Sequence, residues 1–108
     1  MLYELRVYTM HPGRMQAIKD RFRDVTLSLF EKHGITVCDF FEDTTGKDVI
    51  YCICSYANRQ ARDAAFEAFR NDPEWQAAAA ASQVDGPIVD HTESFFMTRV
   101  PFVTPRWE

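Results

Sequence analysis

The sequence predicts an α+β fold: a ferredoxin-like β-α-β-β-α-β chain whose four-stranded antiparallel sheet carries helices on one face. The order of its hydrophobic patterns is the first reason. Strand-like runs lie at about 2–10, 35–42, 49–56 and 88–100, and helical patterns at about 13–33, 58–70 and 73–83. The second reason is punctuation. Pro12-Gly13, Gly34, Gly46, Asp72-Pro73 and Gly86-Pro87 fall between those runs. The third is length: at 108 residues the chain is near the commonest domain size and reads as one domain over 1–108.

The first strand alternates, as strand side chains do. Tyr3, Leu5, Val7 and Thr9 share one side; Glu4, Arg6, Tyr8 and Met10 share the other. The helices are expected on the Leu5/Val7 side. His11-Pro12-Gly13 then turns into a helix, with Pro12 in its first turn. Met15, Ile18, Phe22, Val25 and Leu29 form its apolar stripe. Lys32 and His33 place cations at the negative end of its dipole, and Gly34 supplies the cap. Ile35 to Phe41 is β-branched and aromatic, a second strand. Glu42 to Asp48 is a polar hairpin connection with Gly46 at positive φ. Val49 to Tyr56 is apolar on both faces and reads as a strand covered on both sides. Asn58 caps a second helix with a small-residue stripe of Ala61, Ala65, Ala68 and Phe69. Asp72, Pro73 and Glu74 restart it, and Ala77 to Ala81 suits close packing against another element. Ile88 to Val100 is the last strand. Pro101 and Pro105 keep the tail extended to Glu108, an arm suited to lying over a neighbour.

In this topology the first and third strands are central, and the helices cover one face only. The other face, with Arg6, Tyr8 and part of the third strand, is too apolar to be fully wet. Its simplest cover is a second copy, with two sheets face to face in a symmetric dimer. Glu4, Arg6 and Tyr8 then form the wall of an enclosed cavity.

Composition excludes several function classes. A 46% hydrophobic and 26% charged chain is an ordinary globular one. Its 14% aromatic content is high for so small an interior, which points to a pocket or an interface. The net charge is −4 with no basic run, which argues against nucleic acid as partner. No apolar run approaches the ~20 residues of a membrane span. The start of the chain has no basic n-region or apolar h-region, so a cytoplasmic protein is expected. Cys38, Cys52 and Cys54 do not make a disulfide framework; Cys52 and Cys54 share a strand face as free thiols. His11, His33 and His91 show no metal spacing, and no phosphate loop, serine elbow or Cys–His pairing is readable. Neither a metal nor an organic cofactor is expected.

Three stretches carry a family resemblance. Tyr3-Glu-Leu-Arg-Val-Tyr-Thr-Met-His-Pro-Gly13 resembles the opening signature of the NIPSNAP family. Tyr56-Ala-Asn-Arg-Gln-Ala-Arg-Asp63 followed by Asn71-Asp-Pro-Glu-Trp-Gln76 is similar to its second-helix segment with the "DPEW" restart. Arg99-Val-Pro-Phe-Val-Thr-Pro105 is similar to its C-terminal end. The resemblance spans nearly the whole chain. It implies a dimeric α+β barrel, related more loosely to cofactor-free monooxygenases, haem-degrading enzymes and small isomerases or lyases. Cys52 and Cys54 stand where the family pattern has a His and an aromatic, a departure that speaks against histidine chemistry on the third strand.

The functional reading is a protein that binds a small apolar or anionic molecule in a barrel cavity. Its candidate lining residues are Glu4, Arg6, Tyr8, Cys52, Cys54 and Tyr56, with His11 a further candidate acid or base. Glu4 and Arg6 read either as a structural ion pair or as an anion site built on Arg6. One alternative is a cofactor-free monooxygenase- or isomerase-like enzyme, in which Arg6 and Tyr8 steer charge. Another is a non-catalytic dimeric scaffold. A pocket of about 300 Å3 or more, reached from solvent and lined by Arg6, Tyr8 and Tyr56, favours the enzyme, and a barrel filled by Phe and Cys side chains favours the scaffold.

Overall fold

The computed structural model describes residues 1–107. The chain runs β1 (Leu2–Met10), α1 (Met15–Arg21), a π-helical turn (Phe22–Thr26), α2 (Leu27–Lys32), β2 (Thr36–Glu42), β3 (Val49–Tyr56), α3 (Arg59–Arg70), α4 (Pro73–Ser82) and β4 (Val89–Met97). The strands pair antiparallel in the order β2-β3-β1-β4, so β1 and β3 are central, as the ferredoxin-like order requires. Glu108, the end of the expected tail, lies outside the described residues.

Pro12 sits ahead of the helix rather than in its first turn. His11 to Arg14 is a turn closed by the Arg14 N–H on the His11 carbonyl at 3.1 Å, with Gly13 at φ +79°. Proline second and glycine third suit a type II turn, and the proline's fixed φ serves that turn as well as it would a helix start. The predicted long helix is continuous but not uniform. Ile18, Phe22, Thr26, Leu29 and Phe30 are buried, while Val25 is more exposed. The π turn shifts the buried position from Val25 to Thr26. Thr26 Oγ1 donates to the Arg21 carbonyl five residues back, at 3.2 Å, within the wider ring of a π turn.

The later helices start where their caps place them. The Asn58 side chain accepts the Ala61 N–H at 2.8 Å, and the Asp72 side chain accepts the Glu74 N–H at 2.9 Å. Asp72 also takes Lys32 Nζ at 2.8 Å and pairs with His33 Nε2 at 2.7 Å, which ties the end of α2 to the start of α4. These partners, Lys32 foremost, hold its carboxyl well below the usual carboxylate range. Helix α3 buries Phe66 and Phe69 rather than its alanines, and α4 buries no residue at all. The Ala77–Ala81 run therefore lies at the rim of the helical layer.

The core fills the space between sheet and helices. Tyr8, Met10, Cys52, Cys54 and Tyr56 meet Ile18, Phe22, Leu29, Phe30, Phe66 and Phe69 there. Strand β1 thus turns Glu4, Arg6 and Tyr8 to the helices and Leu5 and Val7 away from them, the reverse of the sequence expectation. The strand's own residues favour the Leu5/Val7 side as core. Helix α3 overrides them by bringing Arg62 to Glu4 and the Phe66 ring to Arg6. Burying Glu4 requires such partners, because an unpaired charge in an apolar layer is costly.

The opposite face is open within the chain. Cross-strand partners share a face, so Leu5, Ile53 and Phe95 line it, beside Val7 and Tyr51. Strand β3 is accordingly covered on one side only. Strand β4 ends at Met97, short of the expected residue 100. The tail then bends back over its own sheet: the Arg99 guanidinium lies 4.6 Å from the Tyr3 ring centre, and Trp107 borders the same shallow pocket as Tyr3 and Ile53. Among the described residues no helix is long and apolar enough to cross a membrane.

Candidate functional site

Glu4 anchors a polar network buried between β1 and α3. Its side chain has no solvent exposure. Oε2 accepts from Arg6 Nη1 at 3.0 Å and from Arg62 Nη2 at 2.7 Å; Oε1 accepts from Tyr56 Oη at 2.9 Å and Arg62 Nε at 3.1 Å. Arg62 is therefore a bidentate partner, the strong geometry for a carboxylate. Burial alone would raise the Glu4 pKa. Hydrogen bonds from Arg62, Ser94 and Tyr56, with the charge of Arg6, outweigh burial and bring it down to about 2. These donors fill the carboxylate's lone-pair sites, so Glu4 is an anchor and not a base. Tyr56 is spent on Glu4, and burial holds its phenol well above the ordinary range.

Arg6 links this network to a cavity. Its Nε donates to Tyr8 Oη at 2.7 Å, and its guanidinium lies 4.4 Å from the Phe66 ring centre. Tyr8 accepts that bond, so its own proton is available to a further acceptor. Burial pushes the Tyr8 phenol up to about 12 against the pull of Arg6. At neutral pH Tyr8 is thus a hydrogen-bond donor and not a base.

The cavity, a partly open cleft of about 240 Å3, lies where the two halves of the helical layer meet above β1. Arg6 and Tyr8 form its floor. Arg21, Phe22 and Thr26 reach it from the π turn and the residue before it, Phe30 from α2, Phe66, Phe69 and Arg70 from α3, and Trp75 from α4. The rings pack edge to face, with Phe30 and Phe69 4.9 Å apart and Tyr8 and Phe22 5.4 Å apart. A groove of about 540 Å3 beside β2 is larger, but it is more open and Glu31 is its one charged lining residue. Convergent polar groups among aromatic rings mark the smaller cavity as the candidate site.

The other predicted site residues lie elsewhere. Cys52 and Cys54 are buried in the core with their sulfurs 3.6 Å apart. The Cys54 thiol, with burial added, pushes the Cys52 thiol well up. His11 sits in the turn after β1, 3.8 Å from Asp90 and 40% exposed, outside the cavity lining. Among the described residues no three His, Cys, Asp or Glu side chains gather in a way that could hold a metal. Sequence reasoning missed Arg62, Arg21, Arg70, Phe66 and Trp75. Part of the signal was present: Arg62, Phe66 and Phe69 recur at four and three residues and therefore share a helix face.

The NIPSNAP family model matches residues 3–104. The chain belongs to the NIPSNAP family. No curated protein matches. An uncharacterized NIPSNAP domain protein from Burkholderia xenovorans is 23% identical, over 97% of this chain and 100% of its own, with a TM-score of 0.81. A NIPSNAP family protein from Agrobacterium tumefaciens is 19% identical, over 97% of this chain and 98% of its own, with a TM-score of 0.83. An antibiotic biosynthesis monooxygenase is 16% identical, over 94% of this chain and 100% of its own, with a TM-score of 0.61. At these identities the solved structures establish a shared fold. The NIPSNAP fold thus extends to a monooxygenase of the same build.

Proposed function

We propose that this NIPSNAP chain, as a single domain, binds a small apolar or anionic molecule in the cavity between its sheet and its helical layer. The observation that carries the reading is the unfilled volume of about 240 Å3, walled by aromatic rings and by Arg6, Arg21, Arg70 and Tyr8. The volume lies just under the roughly 300–1,000 Å3 of drug-sized ligand pockets, so the molecule is compact. We place it in a homodimer paired through the open faces, because Leu5, Val7, Tyr51, Ile53 and Phe95 offer a second copy an apolar, self-complementary surface.

Native mass spectrometry of protein purified from cells tests the binding claim. A retained small molecule is the expected result, and it is lost when Thr26→Trp fills the cavity. A spectrum of bare polypeptide under gentle conditions speaks against the reading. Catalysis without a cofactor is the second reading, favoured by the free proton of Tyr8 beside the Arg6 charge. A donor of that kind stabilises negative charge developing on a substrate oxygen. Tyr8→Phe then lowers turnover by more than its effect on ligand retention accounts for; an equal fall in both speaks against catalysis.

A further inference from the structure

Arg6 and Arg62 share the carboxylate of Glu4. The cavity's other two guanidiniums have no such partner. Arg21 donates from Nη1 to Ser82 Oγ at 3.2 Å and stacks over the Trp75 ring at 5.0 Å. Its Nε is buried without an acceptor, and no carboxylate lies within 4.0 Å of it among the described residues. The Nε–Nη2 edge is therefore unengaged, and that is the edge with which Arg62 grips Glu4. Arg70 also lines the cavity and forms no ion pair with another described residue. Two positive charges thus line an aromatic-walled space with no carboxylate of the described residues paired to either. An enclosed donor without an acceptor costs free energy that a bound anion recovers. Burial pushes the Arg21 guanidinium down from its usual range, against a pull from Tyr8 and with a smaller push from Arg14.

We propose that the ligand is a single-ring aromatic carboxylate, its carboxylate held by Arg21 and Arg70 with Tyr8 donating beside them, and its ring among Phe30, Phe66, Phe69 and Trp75. Each feature of this class answers an observation. The planar carboxylate matches an Arg fork better than a point anion does. The aromatic body matches the ring walls, in which Phe30 meets Phe69 edge to face and Phe69 tilts against Trp75 at 33°. The size matches about 240 Å3, the space of roughly eight waters. The inference rests on the cavity reading above and assigns the ligand's class.

Benzoate, benzamide and inorganic phosphate are the probes, titrated by calorimetry and by Trp75 fluorescence in a Trp107→Phe background. Benzoate is expected to bind at least tenfold more tightly than benzamide. Arg21→Gln and Arg70→Gln are each expected to weaken benzoate by about 10- to 100-fold, the range for losing a charge-assisted hydrogen bond. Both variants are expected to weaken benzamide by less than about threefold, since a neutral carbonyl loses only a neutral-acceptor bond, and the solvent-facing control Arg23→Gln changes neither. If Arg21→Gln does not fold, Arg70→Gln carries the test, since that side chain is exposed. Equal binding of benzamide and benzoate, or phosphate binding as tightly as benzoate, overturns the carboxylate assignment and leaves the cavity reading standing. Failure of every probe, together with bare polypeptide in the native spectrum, overturns both.

Discussion

Replacing Glu4 by Gln leaves Arg6 and Arg62 facing a neutral amide inside the fold. The magnitude follows from the carboxyl's own titration. Its pKa falls from 4.5 to about 2 on folding. At about 1.4 kcal/mol for each pH unit, that fall corresponds to roughly 3 kcal/mol of stability carried by the ionised form. The folded pKa is the lower one, so this contribution is complete above about pH 5 and drains away as the pH falls toward 2. Breaking a buried ion pair from one side gives a similar figure, about 3–5 kcal/mol. Urea unfolding at fixed protein concentration, followed by tryptophan fluorescence at neutral pH and again near pH 2.5, measures it. Glu4→Gln is expected to lose about 3 kcal/mol at pH 7, and the gap to the wild type is expected to close to about 1 kcal/mol in acid. A neutral-pH loss below 1 kcal/mol, or a gap that does not narrow with acid, refutes the network as described.

Three further outcomes are expected. Phe66→Ala removes the ring that Arg6, Arg62, Phe30 and Phe69 pack against and should cost about 3–5 kcal/mol in the same assay. Leu5→Glu places a charge in the middle of the open sheet face; light scattering at micromolar concentration should report twice the chain mass for the wild type and one chain mass for the variant, with circular dichroism unchanged. Of the three thiols, Cys38 is partly exposed while Cys52 and Cys54 are buried; a thiol reagent should therefore label one cysteine quickly and the other two only at the rate of unfolding.

Element order was legible because hydrophobic period and turn residues are local properties. Asn58, Asp72, Gly34 and Gly46 each mark a boundary by their own chemistry. Orientation was not legible, because it is decided by partners far away in sequence. Glu4 reads as the wall of a cavity between two paired sheets until Arg62, 58 positions later, is seen to reach it from the helical layer. The same holds for the cavity: Tyr8 and Arg6 were visible on β1, but Arg21, Arg70 and Trp75 converge on them only once three helical segments are packed. The family resemblance fixed the architecture and was silent on those residues.

The π turn at Phe22–Thr26 holds one residue more than an α-helical turn would. Deleting the surface residue Arg23 would restore ordinary helical hydrogen bonding and remove no buried atom. Phe22 and Thr26 would then stand three apart, with Leu29 and Phe30 still three and four beyond Thr26, so the buried stripe would run unbroken at α-helical spacing. The extra residue is thus a bulge that the helix can lose without turning its apolar side from the sheet. Both Arg23→Ala and the Arg23 deletion are expected to fold, as read by circular dichroism and urea unfolding. A deletion that unfolds the chain while the alanine variant does not would refute the bulge as a local, one-residue insertion.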